Sequence, residues 1–478
     1  MMKFENVKIL KMGNKFGIWF PKFYFPKGSL VRIKVIKENK EKVSLTKFNR
    51  LITLRRDIEN YLNLKHHDII AIELEETKNL ERTNDLFYKD KIDVLYLIPE
   101  KTSRGYELVV TNFISYNEEW LRIWYSHERG SGQQLEIRRY VKIEAIGSLL
   151  GQYQAEGTKH KNTLRFSIEF ANKSILEHQE FMDSLLKLGI PKEAFEFRFT
   201  FNPNKISKED VINHTTEFEA IIGYKVKLSQ GNSKGIGFRT VVRNTVLTEI
   251  ILTSLDKIRS LLVSEGKYSI NQQRLADNFL AKLLTGDGTL DVRCNRRTFP
   301  ELHMKIVDED KNYLNDYCAI LRNIGFNTRI NEKRISVISS CSFRGLLYLY
   351  QIKAFKNSNN WNKLLVAIAL CLQGRRYHTY SKFLELADYE KFGTSVISRG
   401  FQMQSNNASD WLNNKVKENL IVKNYYNSWS LTPEGEKLCK TLDFWSKDYL
   451  NLIKIKKIED PFHLLETLKI KKLKHNSK

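Results

Sequence analysis

The sequence predicts an α+β protein with several domains, and three observations support that prediction. The chain has 478 residues, and at about 150 residues per domain this length predicts about three domains. Two short helical segments that each end in an acid and a glycine place Glu156 and Asp287 131 residues apart. The residues after each segment alternate apolar and polar side chains with the period of a β-strand. Each helix is therefore expected to lead into a sheet.

The charge of the chain indicates a polyanionic partner. Lys and Arg number 78 and Asp and Glu 55, which gives a formal net charge of +23. Nucleic acid is the expected partner, with an anionic membrane surface as the alternative. No run approaches the ~18 apolar residues of a membrane span, and the N-terminus has no apolar signal-peptide core. The five cysteines are widely spaced and form no C-x-x-C pair, so we expect a soluble, cytoplasmic protein.

Residues 1–78 contain an internal repeat with an offset of 34 residues. Ile18 matches Ile52, and Phe20 matches Leu54. The first copy, KMGNKFGIWFPK at 11–22, resembles one half of an AbrB-type swapped hairpin. In that family two halves interlock into a small β-barrel that binds DNA. The alternative is an ordinary pair of hairpins with a structural role.

Residues 79–140 are predicted to be a β-rich connecting segment. Strands are expected at residues 94–98 and 106–110, where β-branched and aromatic side chains are frequent. We assign no chemistry to this segment.

Two nine-residue segments carry the strongest functional signal, LLGQYQAEG at 149–157 and LAKLLTGDG at 280–288. A glycine after each acid suits a helix that ends and turns into a strand. Each segment is followed by an alternating strand, a helix that a glycine terminates (Gly189 or Gly325), and a further strand. Over residues 140–360 the chain resembles the LAGLIDADG (DOD-type) homing endonuclease family in its single-chain, two-motif form.

The resemblance implies two pseudo-symmetric αββαββα half-domains, 141–265 and 266–360. The two motif helices would pack side by side between the half-domains. Small residues are needed where two helix backbones approach closely. The residues suited to that helix interface are Gly151, Ala155, Ala281 and Gly286.

The same resemblance implies a catalytic pair of metal-binding acids, Glu156 and Asp287. Carboxylates at helix C-termini lie where the helix dipole is negative, so a hard cation such as Mg²⁺ would offset their charge, with Mn²⁺ as an alternative. Lys356 is the candidate for an assisting catalytic base or cation, and Lys267 is its counterpart. The alternative interpretation is that both acids only begin turns.

In this family the strands form a saddle over the major groove of DNA. Basic side chains on the outer face of the strands would then contact phosphates and base edges. The DNA-binding candidates are Arg165, Arg198, Arg239, Arg293, Arg296, Arg297, Lys305, Arg329 and Arg334. The alternative is a solvated sheet face.

Residues 361–445 resemble a winged helix-turn-helix. The segment 408–421 is the expected recognition helix, with Trp411, Leu412, Val416 and Leu420 at the spacing of a buried face. The polar residues expected on its exposed, DNA-binding side are Asn413, Asn414, Lys415 and Lys417. Thr432 is the predicted N-cap of the closing helix. A winged helix that binds protein is the alternative, and residues 446–478 are predicted to be a basic tail.

These features together predict a site-specific double-strand DNA endonuclease that depends on Mg²⁺. The alternative is a catalytically silent DNA-binding transcription regulator on the same scaffold, and RNA is an alternative partner. The resemblance implies a monomeric LAGLIDADG core and an association with the nucleoid.

Overall fold

The computed structural model divides the chain into two compact units, Met1–Leu261 with Ile270–Leu275 and Leu262–Ser269 with Ala276–Lys478. Helices mix with small sheets of three to five strands in an α+β fold. The structure describes residues 1–125, 133–158, 166–231, 237–264, 266–295, 298–373, 380, 383–425, 428–456 and 471–472. Among these residues no helix combines the length and the hydrophobicity that crossing a bilayer requires.

The N-terminal module, residues 1–76, consists of two interleaved small sheets around one core. Their strand orders are β1-β7-β4-β5 and β2-β3-β6. Side chains alternate between buried and half-buried along β4 and β7, as expected for strands with one face in a core. The elements are β1 (Met2–Lys8), β2 (Leu10–Met12), β3 (Lys15–Trp19), β4 (Leu30–Lys37), β5 (Lys40–Lys47), β6 (Leu51–Thr53), α1 (Arg56–Tyr61) and β7 (Ile69–Glu76).

Strand pairing joins the two halves of the 34-residue repeat. Ile18 of β3 lies directly opposite Ile52 of β6, the residue that the repeat equates with it. The flanking backbone hydrogen bonds are equivalent as well: Phe20 N–H donates to Arg50 O at 2.6 Å, and Leu54 N–H donates to Phe16 O at 2.8 Å. The first strand of each half pairs with the last strand of the other, β1 with β7 and β5 with β4. The two halves therefore exchange strands within one chain.

The connecting segment folds into two further three-stranded sheets, β10-β11-β12 and β13-β9-β8. The strand expected at 94–98 is wrong, because the Asp93 carboxylate accepts a hydrogen bond from Leu95 N–H at 3.0 Å and caps a helical turn there. The elements are β8 (Phe87–Tyr88), β9 (Lys91–Asp93), α2 (Val94–Leu97), β10 (Leu108–Ser115), β11 (Glu118–Tyr125), β12 (Gln134–Arg138) and β13 (Tyr140–Lys142).

The first half-domain places helices on one face of a sheet with the order β14-β17-β15-β16. The alternating segment FEFRFTF forms β15, and Phe195, Phe197 and Phe199 are buried. The elements are α3 (Ile143–Glu156), β14 (Ile168–Asn172), α4 (Ile175–Leu188), β15 (Phe195–Phe201), α5 (Lys208–Ile222), β16 (Val226–Gln230), β17 (Gly237–Val242) and α6 (Thr245–Val263).

The second half-domain runs helix, hairpin, helix, hairpin, helix, and its strands follow the order β20-β21-β19-β18. Arg334, expected on the outer face of a strand, does not lie in one. Glu332–Arg334 forms a 3-10 helix, Ile335 takes a left-handed φ of 45°, and the strand begins at Ser336. The elements are α7 (Ile270–Gly286), β18 (Gly288–Asn295), β19 (Thr298–Val307), α8 (Lys311–Asn323), β20 (Asn327–Asn331), β21 (Ser336–Ser340) and α9 (Phe343–Gln351).

The C-terminal region combines helices with a small sheet of order β22-β24-β23. Thr432 Oγ1 accepts a hydrogen bond from Gly435 N–H at 3.1 Å, which caps the closing helix. That helix continues to Lys456, well past residue 446, where the tail was expected to begin. The elements are α10 (Asn359–Gln373), α11 (Phe383–Leu386), β22 (Phe392–Gly393), α12 (Thr394–Gly400), α13 (Ser405–Lys417), β23 (Ile421–Lys423), β24 (Ser428–Leu431), α14 (Pro433–Lys456) and β25 (Lys471–Lys472).

Candidate acidic site and nucleic-acid interface

Helix α3 ends at Glu156 because Gly157 turns the chain into an extended conformation. Gly157 N–H donates to Tyr153 O at 2.9 Å, and a Cβ on Gly157 would lie only 2.4 Å from that oxygen. The half-buried carboxylate of Glu156 accepts a hydrogen bond of 3.4 Å from Asn172 Nδ2 at the end of β14. This helix end therefore requires a glycine and places the carboxylate next to the sheet.

Helix α7 ends in the same manner in the other unit. Asp287 N–H donates to Leu283 O at 2.9 Å, and β18 begins at the next residue. A Cβ on Gly288 would lie 2.4 Å from Leu284 O, four residues earlier, just as in α3. The Asp287 side chain is half-buried. Two separate units thus build the same end, an acid and then a glycine that leads into extended chain.

The chemistry of these helix ends fits a hard cation. The last carbonyl groups of a helix and its macrodipole make the potential negative there. Mg²⁺ takes oxygen ligands, keeps several waters and often uses only one or two carboxylates together with substrate phosphates. In the described part of the chain, no three or more His, Cys, Asp or Glu side chains group to hold a metal ion. Glu156 and Asp287 each offer carboxylate oxygens, the type of ligand that such an ion takes.

The segment of Lys356, between α9 and α10, packs against the end of α7. Asn360 Nδ2 donates to Gly288 O at 3.1 Å, and the Phe355 ring would lie 2.8 Å from a Cβ on Gly288. Lys356 follows Phe355 and is exposed. The structure thus brings the segment of Lys356 beside that of Asp287.

Lys267 lies at the opposite end of the same helix. It precedes α7, whose 17 residues span about 25 Å at 1.5 Å per residue. A lysine side chain does not reach across that distance to Asp287.

The small residues predicted for a helix interface lie within α3 and α7. Gly151 and Ala281 are buried, and Ala155 and Gly286 are half-buried. These four residues keep both helices narrow near their C-terminal ends.

The first half-domain carries a row of cations on its sheet. On the helix-covered face, His178 of α4 hydrogen-bonds Thr240 of β17. On the other face Arg239 of β17 lies opposite Arg198 of β15, which lies opposite Lys227 of β16. Neighbouring strands are about 4.8 Å apart, and like charges directly opposite each other are destabilising. We call Arg239, Arg198 and Lys227 the cationic row, and a bound polyanion would relieve its repulsion.

Glu196 partly neutralises the cationic row. It accepts hydrogen bonds from Arg198 Nε at 2.5 Å and Lys227 Nζ at 3.0 Å, and Arg243 lies 3.5 Å away. Partial burial acts to raise the pKa of Glu196, but these cations lower it to about 2. Glu196 is therefore ionised at neutral pH, and it holds the row in place.

The sequence pattern identified Arg198 and Arg239 but missed Lys227 and Glu196. Alternation in β15 was the available signal for Glu196, because it places Glu196 and Arg198 on one face. No such signal existed for Lys227. Helix α5 separates β16 from β15 along the chain, and only the pairing of these two strands places Lys227 beside Arg198.

The remaining DNA-binding candidates are more dispersed. Lys305 of β19 is largely buried and forms an ion pair with Asp291 of β18, and Arg329 of β20 is exposed. Arg293 lies in β18, and Arg334 lies in the 3-10 helix. Three candidates lie outside the described residues: Arg165, Arg296 and Arg297.

Helix α13 exposes Asn413, Asn414 and Lys417 as expected, but the prediction that Lys415 is exposed is wrong. Lys415 is buried because its ammonium donates to Tyr380 Oη at 2.7 Å and to Glu418 Oε1 at 2.6 Å. Burial alone would raise the pKa of Glu418, yet the hydrogen bonds that its carboxylate accepts from Lys415 and Tyr380 keep that pKa below its ordinary value. Val416, expected on the buried face, is 38% exposed.

Comparisons with known proteins gave structural neighbours only. No protein-family model matches the chain, and neither does any curated protein. Among solved structures, I-DmoI in complex with DNA and Ca aligns at 15% identity over 44% of this chain and 88% of that chain, with a TM-score of 0.23. The I-LtrWI LAGLIDADG homing endonuclease bound to target DNA aligns at 11% identity over 49% and 99%, with a TM-score of 0.24. The meganuclease I-SmaMI bound to uncleavable DNA aligns at 12% identity over 49% and 92%, with a TM-score of 0.26.

Proposed function

We propose that this chain is a site-specific double-strand DNA endonuclease of the LAGLIDADG homing type, which hydrolyses phosphodiesters with Mg²⁺ or Mn²⁺. The matched ends of α3 and α7 carry the proposal. Each acid is followed by a glycine whose Cβ would collide with the backbone of its own helix. A turn needs the glycine but not the acid, so finding the acid in both units favours a shared chemical role.

In the proposed mechanism the chain positions DNA and offsets charge. Glu156 and Asp287 would hold the metal ion, which would supply an activated water and positive charge at the scissile phosphate. Lys356 lies beside the segment of Asp287 and adds positive charge there. The cationic row and the exposed Arg329 bind the DNA backbone, and their fixed positions on strands orient the duplex.

The flanking regions extend the recognised site in this proposal. The N-terminal module acts as an AbrB-like DNA-binding barrel, and residues 359–456 act as a winged helix with α13 in the major groove. Asn413, Asn414 and Lys417 are the side chains available to DNA, whereas Lys415 braces the helix. The core acts as a monomer, because both motifs lie in one chain. The DNA that it binds is that of the nucleoid.

The test compares cleavage and binding on a site selected from a randomised DNA library. Asp287→Asn and Glu156→Gln each remove a charge at nearly constant volume. We expect cleavage in Mg²⁺ to fall at least about 100-fold for each, with affinity measured in Ca²⁺ nearly unchanged, because the loss is confined to the transition state. Asp388→Asn is the matched control, because it removes the same charge from an exposed acid outside both motifs. This variant should cleave DNA as the wild type does.

The second candidate is a DNA-binding regulator without catalysis. Two DNA-binding modules beyond the core are more than cleavage requires, and this favours it. If the wild-type chain binds its selected site tightly but never nicks or linearises it in Mg²⁺ or Mn²⁺, the regulator replaces the nuclease. If it selects a structured RNA instead of duplex DNA, both DNA proposals fail.

A further inference from the structure

Trp19 is an exposed aromatic residue at the end of β3. Its side chain is 51% exposed, whereas the other six of the seven tryptophans are buried or half-buried. A buried Trp side chain contributes more to the free energy of folding or binding than most other side chains do. A half-exposed indole keeps an aromatic face available for contact with a partner.

Arg50 holds the Trp19 indole in place. Its guanidinium lies over the indole, 5.1 Å from the ring centroid. Arg50 Nη2 donates to Pro21 O at 2.7 Å, and Nε donates to Phe20 O at 3.3 Å. The backbone fixes the guanidinium, and the guanidinium in turn fixes one side of the indole. Trp19 is thus a rigid, partly exposed aromatic plate.

Two exposed apolar side chains, Trp19 and Leu51, lie together at one end of the outer face of β3 and β6. Leu51 lies opposite Trp19 and is 41% exposed. On the other side of the Ile18–Ile52 pair, the same face carries Gly17 opposite Thr53. The repeat equates Trp19 with Thr53 and Leu51 with Gly17. The two large apolar side chains therefore have no large apolar equivalent in the repeat, and the symmetry of the fold does not require them.

The chain segments that carry this face are basic. Residues 8–27 contain five Lys and no Asp or Glu, and residues 42–56 contain five Lys and Arg and no Asp or Glu. A second copy of the same basic surface would be repelled, whereas phosphates would be attracted. An aromatic plate stabilised by Arg within a basic surface is the arrangement that stacks unpaired nucleobases.

We propose that the outer face of β3 and β6 binds single-stranded DNA, with Trp19 as the stacking platform for an unpaired base. Bases within a B-form duplex are already stacked on each other and do not offer a free face. This site therefore reads a feature of DNA that the cationic row does not. It is independent of the proposed cleavage, since it involves neither acid.

The test measures fluorescence anisotropy of a labelled oligo(dT) of about 12 nucleotides with the full-length chain. We expect Trp19→Ala to weaken binding at least about tenfold, and Trp19→Phe, which keeps an aromatic face, to weaken it no more than about threefold. Tyr116→Ala is the matched control, because Tyr116 is 92% exposed at the tip of the β10–β11 hairpin, outside this face. It should bind as the wild type does, and circular dichroism should be the same for all variants.

A blunt duplex of similar length provides the second arm. Trp19→Ala should change duplex affinity less than about twofold. The proposal is overturned if Trp19→Ala binds oligo(dT) as tightly as the wild type. It is also overturned if duplex and oligo(dT) weaken equally, which would make Trp19 a duplex contact. If sedimentation shows that the variant loses a dimer while it keeps oligo(dT) binding, the face is a self-interface instead.

Discussion

The two half-domains share the elements that position the acids and differ in the middle. In the first, β14, β17 and β15 are neighbours in the same order as β19, β21 and β20 in the second. The glycine after each acid pairs with the strand that precedes the next helix, Gly157 with Phe170 and Gly288 with Ile306. The arrangement around the acids is thus common to both, although residues 159–165 lie outside the described part of the first.

The difference is the insertion of α5 and β16 between β15 and β17. β16 adds parallel to β15, and it brings Lys227 beside Arg198. In the second half-domain, Lys305 is instead paired with Asp291 on the adjacent strand. In the first half four cations, Arg198, Lys227, Arg239 and Arg243, share only two acids, Glu196 and Glu169, whereas Lys305 and Asp291 neutralise each other one to one in the second. The same scaffold therefore presents net positive charge in one half and a neutral pair in the other. The insertion changes the surface without changing the acidic helix end.

The cores differ as well. The fourth residue of α4 is His178 and the fourth residue of α8 is Leu314, and both are buried. His178 Nε2–H donates to Asn172 O at 3.0 Å, which leaves Nδ1 to accept from Thr240 Oγ1 at 2.7 Å. Burial lowers the pKa of His178 from 6.5 to about 4. Only the first half therefore places an acid-sensitive group at this position.

The largest expected effect tests what the half-domains share. Gly157→Ala and Gly288→Ala each force a Cβ to within 2.4 Å of a backbone oxygen. We expect each to destabilise its own unit by about 3 kcal/mol or more, at the upper end for overpacking. Urea unfolding of the full chain measures this. Gly237→Ala is the control, since a Cβ there meets no atom within 4 Å, and it should be nearly neutral. A tolerated alanine at either position would show that the two ends are not equivalent.

The next effect separates the two cores by pH. Below pH 6.5 the unfolded chain protonates His178, while the folded chain does not until about pH 4. The first half-domain should therefore lose about 2–3 kcal/mol of stability as the pH falls from 6.5 to 4. His178→Leu, which copies the second half, should remove this acid sensitivity. His214→Gln, on α5, should retain it. An unchanged pH profile in His178→Leu would refute the assignment.

The smallest effect concerns the two sheet faces. Lys227→Gln should reduce the slope of log K against log salt for duplex binding by about 0.9, because one phosphate contact is lost. Lys305→Gln should change it less, since Asp291 neutralises Lys305 alone, whereas Lys227 shares Glu196 with Arg198 and Arg243. Fluorescence titrations between low and moderate salt measure both slopes. Equal losses would mean that the insertion does not concentrate the DNA contacts.

Local features of this protein could be predicted from the sequence. The helix stops at Gly189 and Gly325 were expected, and both residues adopt φ near 105°. The further strand after Gly189, which is β15, and the cap at Thr432 were also expected and are present. Each depends on side chains within a few residues of one another, where backbone conformation and short-range hydrogen bonds dominate. The acid and glycine at the ends of α3 and α7 could be predicted for the same reason.

Only the tertiary structure decided which distant residues meet. Arg198, Lys227 and Arg239 form one row because three strands pair in a particular order, and their spacing along the chain does not encode that order. Lys415 is buried because Tyr380 and Glu418 satisfy its charge, although its place in the helical pattern predicted exposure. Strand pairing and buried charge both depend on the packing of the whole unit, since each gains stability only when its distant partners are in place.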